Sequence, residues 1–231
     1  MIEMVVVLVV MAVAAHLAVR ELSKVRERQL EETAQRQLDE FRDAVWSLDA
    51  DGTPHGFLSD MGRPPRSLDE LWTKPDDAAL YAVTNIGGGV YVPTGWNGPY
   101  LRLPAGKSTV FDPWGNDFHA VTNAQGFVTN AFHMGSSGQE RTRSGGVSLV
   151  PAGWDATSLV VVLEGGDATG LHLSSPDGGG GVTNHAAVVE GTTARFGAVS
   201  PGVRVLSWGG GASRLVNVKP GDNIIRLRLD E

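Results

Sequence analysis

Hydrophobic positions near the N-terminus form one continuous run, and the pattern changes its period directly after it. Residues 4–19 are apolar apart from His16, and Glu3 stands at the front edge of the run. A helix of this length would measure roughly 24 Å, and the run is slightly shorter than the ~20 residues that span a bilayer comfortably. The pattern predicts a helix whose N-terminal part is soluble in lipid.

The next segment, residues 20–48, continues without Gly or Pro and carries one apolar stripe. Its apolar positions recur at three-, four- and five-residue steps: Leu22, Val25, Leu30, Ala34, Leu38, Phe41, Val45 and Leu48. Charges of both signs occupy the other faces, which is typical of an amphipathic helix. We therefore expect one helix from about residue 2 to residue 48, transmembrane over residues 1–19 and amphipathic over residues 20–48.

The rest of the chain alternates turn-rich segments with short elements. In residues 49–147, Ser67 is a predicted N-cap and Glu70 completes a capping box, while two later runs predict a β-hairpin. Beyond residue 148, short strand-like runs separated by Gly-rich turns predict a β-sandwich over residues 148–231. The expected fold class is α+β: a long N-terminal helix packed on a small antiparallel sheet, followed by an all-β sandwich domain.

Composition narrows the classes of function. The chain of 231 residues has a formal net charge of −7 and a pI near 5.3. Nucleic-acid binders normally present a basic face, so a nucleic-acid partner is not expected. The chain has no cysteine, which excludes disulfides, thiolate catalysis and cysteine-based metal sites. A secretory signal peptide fits poorly, because no basic residues precede the apolar run and no small-residue cleavage site follows it.

The N-terminal stretch Ile-Glu-Met-Val-Val-Val-Leu-Val-Val-Met-Ala resembles the start of type IV pilins and type II secretion pseudopilins. Mature chains of that family carry an Ile-Glu pair before an apolar run, and Ile2 with Glu3 matches the pair. In the family the glutamate is the fifth mature residue, whereas here it is the third. The resemblance leads us to expect the leader and the first mature residues upstream of this sequence.

The resemblance implies a role for Glu3 in assembly. An unpaired carboxylate at the centre of a membrane helix costs on the order of 2.5 kcal/mol. In pilin-like filaments the apolar helices bundle, and the glutamate is thought to pair with the terminal amine of a neighbouring subunit. We therefore expect Glu3 to contribute to subunit pairing. An ordinary signal anchor with a coiled-coil stalk is the simpler alternative, and it gives Glu3 no role.

Two aromatic segments extend the resemblance into the middle of the chain. Gly-Trp-Asn-Gly-Pro-Tyr-Leu ends at Leu101, and Phe-Asp-Pro-Trp-Gly-Asn-Asp-Phe ends at Phe118. Both are similar to segments of the major pseudopilins, where they pack against the long helix. The aromatic side chains expected to fill a small core between sheet and helix are Trp96, Tyr100, Trp114 and Phe118. Carbohydrate stacking by these rings is the alternative.

Major pseudopilins also bind calcium in the loop that follows this region. Here Ser136 and Ser137 stand where the first acidic ligand would be, and Glu140 is the nearby carboxylate. Ca²⁺ requires several oxygen ligands, usually with more than one carboxylate. Ser136 and Glu140 are therefore only a weak calcium candidate, and a loop stabilised by hydroxyl groups and arginines is the preferred expectation. No other cofactor is expected.

The last thirty-five residues resemble the transthyretin-like modules of carboxypeptidase regulatory domains. The pattern is a strand fed by the Pro-Gly turn at Pro201, then a second Pro-Gly turn at Pro220 before the closing strand. Such modules are structural or adhesive. The resemblance implies display of this domain on a filament surface, and the added domain is the departure from a plain major pseudopilin.

Catalytic motifs are missing from the sequence. The six histidines lack metal-ligand spacing on one helix, and none accompanies a serine-nucleophile motif. Gly106-Lys-Ser108 imitates the end of a P-loop, but Leu101 occupies the position of the first required glycine. No carboxylate pair stands out as general acid and base. We expect the protein not to be an enzyme.

Taken together, the patterns and the resemblance predict a structural subunit of a type II secretion pseudopilus or a type IV pilus-like filament. Expected partners are further copies of the chain, other pilins or pseudopilins, an inner-membrane assembly platform and, before assembly, the lipid bilayer. The expected location is the bacterial inner membrane with periplasmic domains, or an extracellular filament. The alternative is an N-terminally anchored exported binding or adhesion protein that does not polymerise.

Overall fold

A computed structural model describes residues 2–87, 89–135, 146–164 and 170–228. It confirms an α+β chain in which a long N-terminal helix precedes a β-rich region. The helices are α1 (Ile2–Val45) and α2 (Phe57–Met61), with 3₁₀ turns at Leu68–Leu71, Trp154–Ala156 and Gly209–Gly211. The strands are β1 (Ser47–Leu48), β2 (Pro54–His55), β3 (Ala82–Asn85), β4 (Tyr91–Thr94), β5 (His119–Thr122), β6 (Val128–Phe132), β7 (Gly146–Ser148), β8 (Ser158–Glu164), β9 (His172–Pro176), β10 (Val182–Ala186), β11 (Val188–Glu190), β12 (Thr193–Phe196), β13 (Gly202–Trp208), β14 (Ala212–Val218) and β15 (Asp222–Arg228).

The long helix ends at Val45, earlier than the expected residue 48. The amide of Trp46 still donates to the carbonyl of Arg42. The next two residues then leave the helix and pair as β1 with β2 in an antiparallel arrangement. The turn chemistry of residues 49–52 closes this small hairpin, because Gly52 at φ +81 donates its amide to the carbonyl of Asp49. Ser47 and Leu48, which the periodicity predicted to be helical, therefore form a strand instead.

The first folded unit packs against the C-terminal half of α1. Strands β5, β6 and β7 form an antiparallel sheet, which confirms the predicted hairpin of β5 and β6 and adds β7. The core contains the buried residues Leu38, Phe41, Ala44, Val45, Phe57, Leu58, Met61, Leu68, Leu71, Ala78, Trp96, Phe118, Val128, Ala131, Leu149 and Val150. Leu149 and Val150 belong to this core, so the first unit extends beyond residue 147.

The predicted capping box at Ser67 does not form. Ser67 makes no side-chain cap, and the element that follows it is a single 3₁₀ turn. The Glu70 carboxylate instead accepts hydrogen bonds from Arg63 Nη1 at 2.8 Å and from the backbone amide of Arg66 at 3.2 Å. The prediction fails because a buried arginine competes for the same carboxylate, and an arginine pair is stronger than a bond to one amide.

The C-terminal residues form two facing four-stranded sheets. Their strand orders are β10-β9-β13-β14 and β11-β12-β8-β15. All pairings are antiparallel except the one between β15 and β8, which is parallel. The space between the sheets is filled by Leu159, Val161, Leu163, Leu171, Leu173, Ala194, Phe196, Val199, Leu206, Val216, Val218 and Leu227. In β8 and β15, more buried positions alternate with less buried ones, which is the period of a strand.

The sandwich is joined to the first unit by apolar and polar contacts. Val90 and Val92, from the β3–β4 hairpin, bury themselves against Val205 of β13. The Gly-rich loop between β9 and β10 adds backbone contacts: Ala79 donates its amide to the carbonyl of Gly179, and Thr94 Oγ1 donates to the carbonyl of Gly180. The two predicted domains therefore share an interface.

Candidate assembly surface and its support

The N-terminal half of α1 is not covered by any other described part of the chain, and its residues 4–19 are apolar apart from His16. Residues 3–26 are all exposed, and Glu3 lies in the first helical turn. The large exposed apolar side chains of this half are Met4, Val5, Val6, Val7, Leu8, Val9, Val10, Met11, Val13, Leu17, Val19, Leu22 and Val25. The helix is long and apolar enough to cross a membrane, which is compatible with a membrane anchor or a signal sequence. We call residues 3–26 the free half of α1.

Burial of the helix begins at Glu27 and follows a helical period. Glu27, Leu30 and Glu31 are partly covered, and Ala34 and Leu38 are buried. Further along, the buried positions are Phe41, Ala44 and Val45. Steps of three and four residues place all of these on one face of the helix. One helix therefore supports the first unit with its C-terminal half and leaves its N-terminal half available to lipid or to other chains.

The segment that ends in Gly-Pro-Tyr-Leu holds the 3₁₀ turn beneath it. Trp96 Nε1 donates to the carbonyl of Glu70 at 2.9 Å, and the amides of Tyr100 and Leu101 both donate to the carbonyl of Leu71. A Cβ at Gly98 would lie 2.4 Å from the Trp96 ring, so only glycine allows the backbone to approach the indole this closely. The segment therefore packs against the 3₁₀ turn.

The Phe41 side chain connects α1 to this aromatic core. Its ring lies 4.9 Å from the Phe118 ring in an edge-to-face arrangement and 6.5 Å from the Trp72 ring. Tyr100 in turn meets Phe57 and Trp96 edge-on, at 5.5 and 5.9 Å. Trp96, Tyr100 and Phe118 thus lie in or against the core, as expected.

The Asp-Pro-Trp-Gly-Asn segment is held to the chain after β6 by one buried carboxylate and to α1 by a separate hydrogen bond. Asp112 is 3% exposed, and its two oxygens accept backbone amides from Trp114 at 3.1 Å, Asn116 at 2.7 Å and Met134 at 3.1 Å. Asn116 Nδ2 also donates to the carbonyl of Gly135. Gln37 reaches from α1 and donates its amide to the carbonyl of Phe111. This carboxylate is occupied by structural hydrogen bonds and has little capacity left for a ligand.

Trp114 lies outside the main core and stacks on a buried histidine. Its ring centroid is 5.3 Å from the ring of His133, with an interplanar angle of 20°. His133 is fully buried, and its Nε2 lies 3.3 Å from Oε1 of Glu31 on α1. Trp114 therefore does not occupy the expected core position. It lies in a polar contact region between the Asp-Pro-Trp-Gly-Asn segment and α1.

The calcium candidates Ser136 and Glu140 lie outside the described residues. Within the described ranges, no group of three or more His, Asp or Glu side chains is arranged to hold a metal ion. Glu3 is described, and it lies on the free half of α1, far along the helix from the first unit.

Sequence reasoning missed the charged groups at the interface between the units. Arg204 on β13 is fully buried and donates from Nη1 to the carbonyls of Ser59 and Val203, at 2.9 and 2.7 Å. Its Nε donates to the carbonyl of Ser200, and its Nη2 donates to that of Pro201. Burial lowers the pKa of the Arg204 guanidinium, and the charge of Asp60 opposes that change. An arginine within a strand pattern gives no signal of burial, because its acceptors are backbone carbonyls, and one of them, that of Ser59, is far away in the chain.

Asp60 and Tyr100 form a polar contact within the first unit, where the Asp60 carboxylate also feels the charge of Arg204. The Tyr100 hydroxyl donates to Asp60 Oδ2 at 3.0 Å and accepts the amide of Asn97 at 2.9 Å. Burial raises the pKa of the Asp60 carboxyl, against the effect of hydrogen bonds from Tyr100 and Asn97 and the charge of Arg204. Burial also raises the pKa of the Tyr100 hydroxyl, and the Asp60 charge adds to the rise. The hydrogen bonds from Tyr100 and Asn97 therefore offset only part of the cost of burying the Asp60 carboxylate.

Comparison with known proteins gives no relative: no protein-family model, curated protein or solved structure matches this chain.

Proposed function

We propose that the protein is a structural subunit of a type II secretion pseudopilus or a type IV pilus-like filament. It assembles through the free half of α1 and displays the C-terminal sandwich. The observation that carries the proposal is the division of one helix into a fully exposed half, apolar over residues 4–19, and a half that supports the folded unit. The resemblance of the N-terminal, Gly-Pro-Tyr-Leu and Asp-Pro-Trp-Gly-Asn segments to pseudopilins supports it independently.

Exposed apolar area on the free half of α1 must be covered in the cell. Monomeric soluble proteins rarely expose large contiguous apolar patches, and larger ones mark membrane or protein contacts. A bilayer covers this surface before assembly, and neighbouring helices of the same kind cover it within a filament. Because lipid chains and apolar side chains cover such a surface about equally well, apolar contact alone gives little preference for the filament.

In this proposal, the Glu3 carboxylate makes the filament more favourable than the lipid bilayer. A carboxylate within lipid costs on the order of 2.5 kcal/mol when it has no partner. In a bundle of parallel helices, a cationic group of a neighbouring copy removes that cost. The charge therefore disfavours the isolated membrane-bound subunit relative to the assembled one.

Replacing Glu3 tests this role. In cells that express the full chain, Glu3→Leu should remain in the membrane fraction while filaments seen by electron microscopy fall roughly tenfold or more, because a lost pairing above about 1.4 kcal/mol corresponds to that factor. Glu32→Leu is the matched control, since Glu32 is exposed on the same helix but lies outside the free half of α1. The control should assemble as the unchanged chain does.

Filaments of Glu3→Leu at the unchanged level would contradict the role of Glu3. Membrane insertion without filaments in the unchanged chain would instead favour the alternative, an anchored binding or adhesion protein that does not polymerise. That alternative uses the same free half of α1 only as a membrane anchor.

A further inference from the structure

The apolar run on the free half of α1 contains one polar side chain, His16, and has Glu3 at its front edge. Both residues are exposed, and neither has a hydrogen bond or an ion pair among the residues that the structure describes. Ionisable side chains at the depth of a membrane are rare, and they usually pair with one another. A partner is therefore expected for each of these two groups.

Glu3 and His16 cannot pair with each other within one helix. Their separation of thirteen residues places them ~20 Å apart along the helix axis and ~140° apart around it. A hydrogen bond between a carboxylate and an imidazole requires a heavy-atom distance of ~3 Å. The two side chains therefore face different neighbours, on nearly opposite sides of α1.

Arg20 lies one turn beyond His16 on the same side of the helix. A step of four residues leaves the two side chains only ~40° apart. Helical side chains point back toward the N-terminus, which brings the Arg20 guanidinium toward the level of His16. Arg20 is exposed and has no ion pair within the described ranges, whereas the adjacent Glu21 is paired with Lys24. We call His16 and Arg20 the donor face of α1.

We propose that the Glu3 carboxylate of one copy binds the donor face of the next copy, which is displaced by ~20 Å along a parallel helix axis. The proposal rests on assembly through the free half of α1, and it names the contact that sets the register of that assembly. An imidazole N–H of His16 donates to the carboxylate, and Arg20 adds a charge-assisted hydrogen bond. The contact supplies Glu3 with the cationic partner that assembly requires.

The contact joins different surfaces of the two copies, so it can be repeated from copy to copy. Such a contact gives an open helical filament when each copy is displaced along the axis, and a ring when the rotation closes. An antiparallel pair would also bring Glu3 beside His16. Its two contacts would lie on different sides of the helix, and its folded units would lie on opposite sides of the membrane. The displacement of ~20 Å therefore predicts a filament.

Disulfide formation between two differently tagged chains, co-expressed in intact cells, tests the register. One chain carries Val10→Cys on the Glu3 side, and the other carries Ser23→Cys on the His16 side, each seven residues beyond its reference group. In the proposed register these thiols lie at one level, so mild oxidation should give mixed dimers. Val25→Cys is the matched control for Ser23→Cys, because it lies ~3 Å further along the helix but ~200° around it. The control should give about tenfold fewer mixed dimers, since disulfides form only over short Cα distances.

His16→Leu, introduced into both chains, tests the chemistry of the contact. It should lower the yield of mixed dimers between the Val10→Cys and Ser23→Cys chains about tenfold, the usual effect of losing a hydrogen bond to a charged group. Membrane insertion should be unchanged, because leucine is more apolar than histidine.

The outcomes decide this contact separately from the proposed function. Equal yields of mixed dimers with Ser23→Cys and Val25→Cys overturn the register, and so does a His16→Leu variant that cross-links as the unchanged pair does. Dimers between two Val10→Cys chains in place of the mixed dimers also overturn it, because they place the copies at equal depth. In each of these cases, filaments seen by electron microscopy leave the proposed function standing. Absence of both filaments and mixed dimers overturns both.

Discussion

At the scale of single residues, buried charges hold the two units of this protein together. Arg63 and Glu70 form an ion pair at 2.8 Å in which both side chains are almost fully covered. Arg63 also lies over the Phe57 ring at 5.4 Å and donates from Nε to the carbonyl of Gly178 across the interface. A buried charge is tolerated only where partners satisfy it. These contacts satisfy the Arg63 charge and join it to the sandwich.

Asp60 gives the folded chain a pH dependence. Because burial raises the pKa of Asp60, the folded state binds this proton more tightly than the unfolded state does. The carboxylate therefore costs no stability below its unfolded pKa near 3.8 and costs most above its raised folded pKa. Asp60→Asn removes this cost. The variant should gain stability relative to the unchanged chain as pH rises through that window, as measured by melting temperature.

The control for Asp60 is Asp76→Asn, at an exposed position of the first unit. A surface substitution of this kind changes stability by no more than about 0.5 kcal/mol. A difference between Asp60→Asn and the unchanged chain that stays constant from pH 3 to pH 7 would contradict the account of Asp60. So would a difference that shrinks as pH rises.

Single residues also mark the limit of sequence reasoning. Trp96, Tyr100 and Phe118 could be placed against a core because aromatic rings in turn-rich segments seek burial. The contact between Trp114 and His133 could not be predicted, because the two residues are nineteen positions apart in the chain. The turn at Asp112 could be predicted, because Asp-Pro-x-Gly is a common turn sequence. The burial of Arg204 could not be predicted, because its acceptors are backbone carbonyls that no sequence pattern reveals.

At the scale of elements, the β9–β10 loop shows why a run of glycines is needed. Gly178 and Gly180 have φ of +91 and +96, and a Cβ on Gly180 would lie 2.6 Å from that of Ala79. The loop must approach the first unit more closely than any side chain permits. The sequence identified this run only as a turn, since the surface against which it packs lies about a hundred residues earlier.

Gly180→Ala should therefore destabilise the protein more than an equivalent substitution elsewhere. Gly221→Ala is the matched control, because Gly221 has φ +88 and open space at its Cβ position. Both variants carry the ~1–2 kcal/mol cost of a left-handed alanine. Only Gly180→Ala adds overpacking of about 1–3 kcal/mol. Denaturant titration measures both free energies of unfolding, and equal losses would contradict the close docking of the loop.

At the scale of the whole molecule, α1 connects two environments. Its free half is apolar and exposed, while its C-terminal half is part of a core that extends to Val150. The order of helix, small sheet and sandwich could be predicted from local periodicity. The joining of the two units could not, because it depends on contacts between residues far apart in the chain, such as Arg204 with Ser59.

The central claim, that the free half of α1 packs against other copies, can be measured by cysteine cross-linking. The chain has no cysteine, so Val7→Cys with Val9→Cys introduces one thiol on each of two opposite helix faces, about 200° apart. Disulfides form only between closely approaching chains. Oxidation in native membranes should give a ladder of trimers and larger species, lost when Glu3→Leu is added. Monomers and dimers alone, without a ladder, would contradict assembly through this helix.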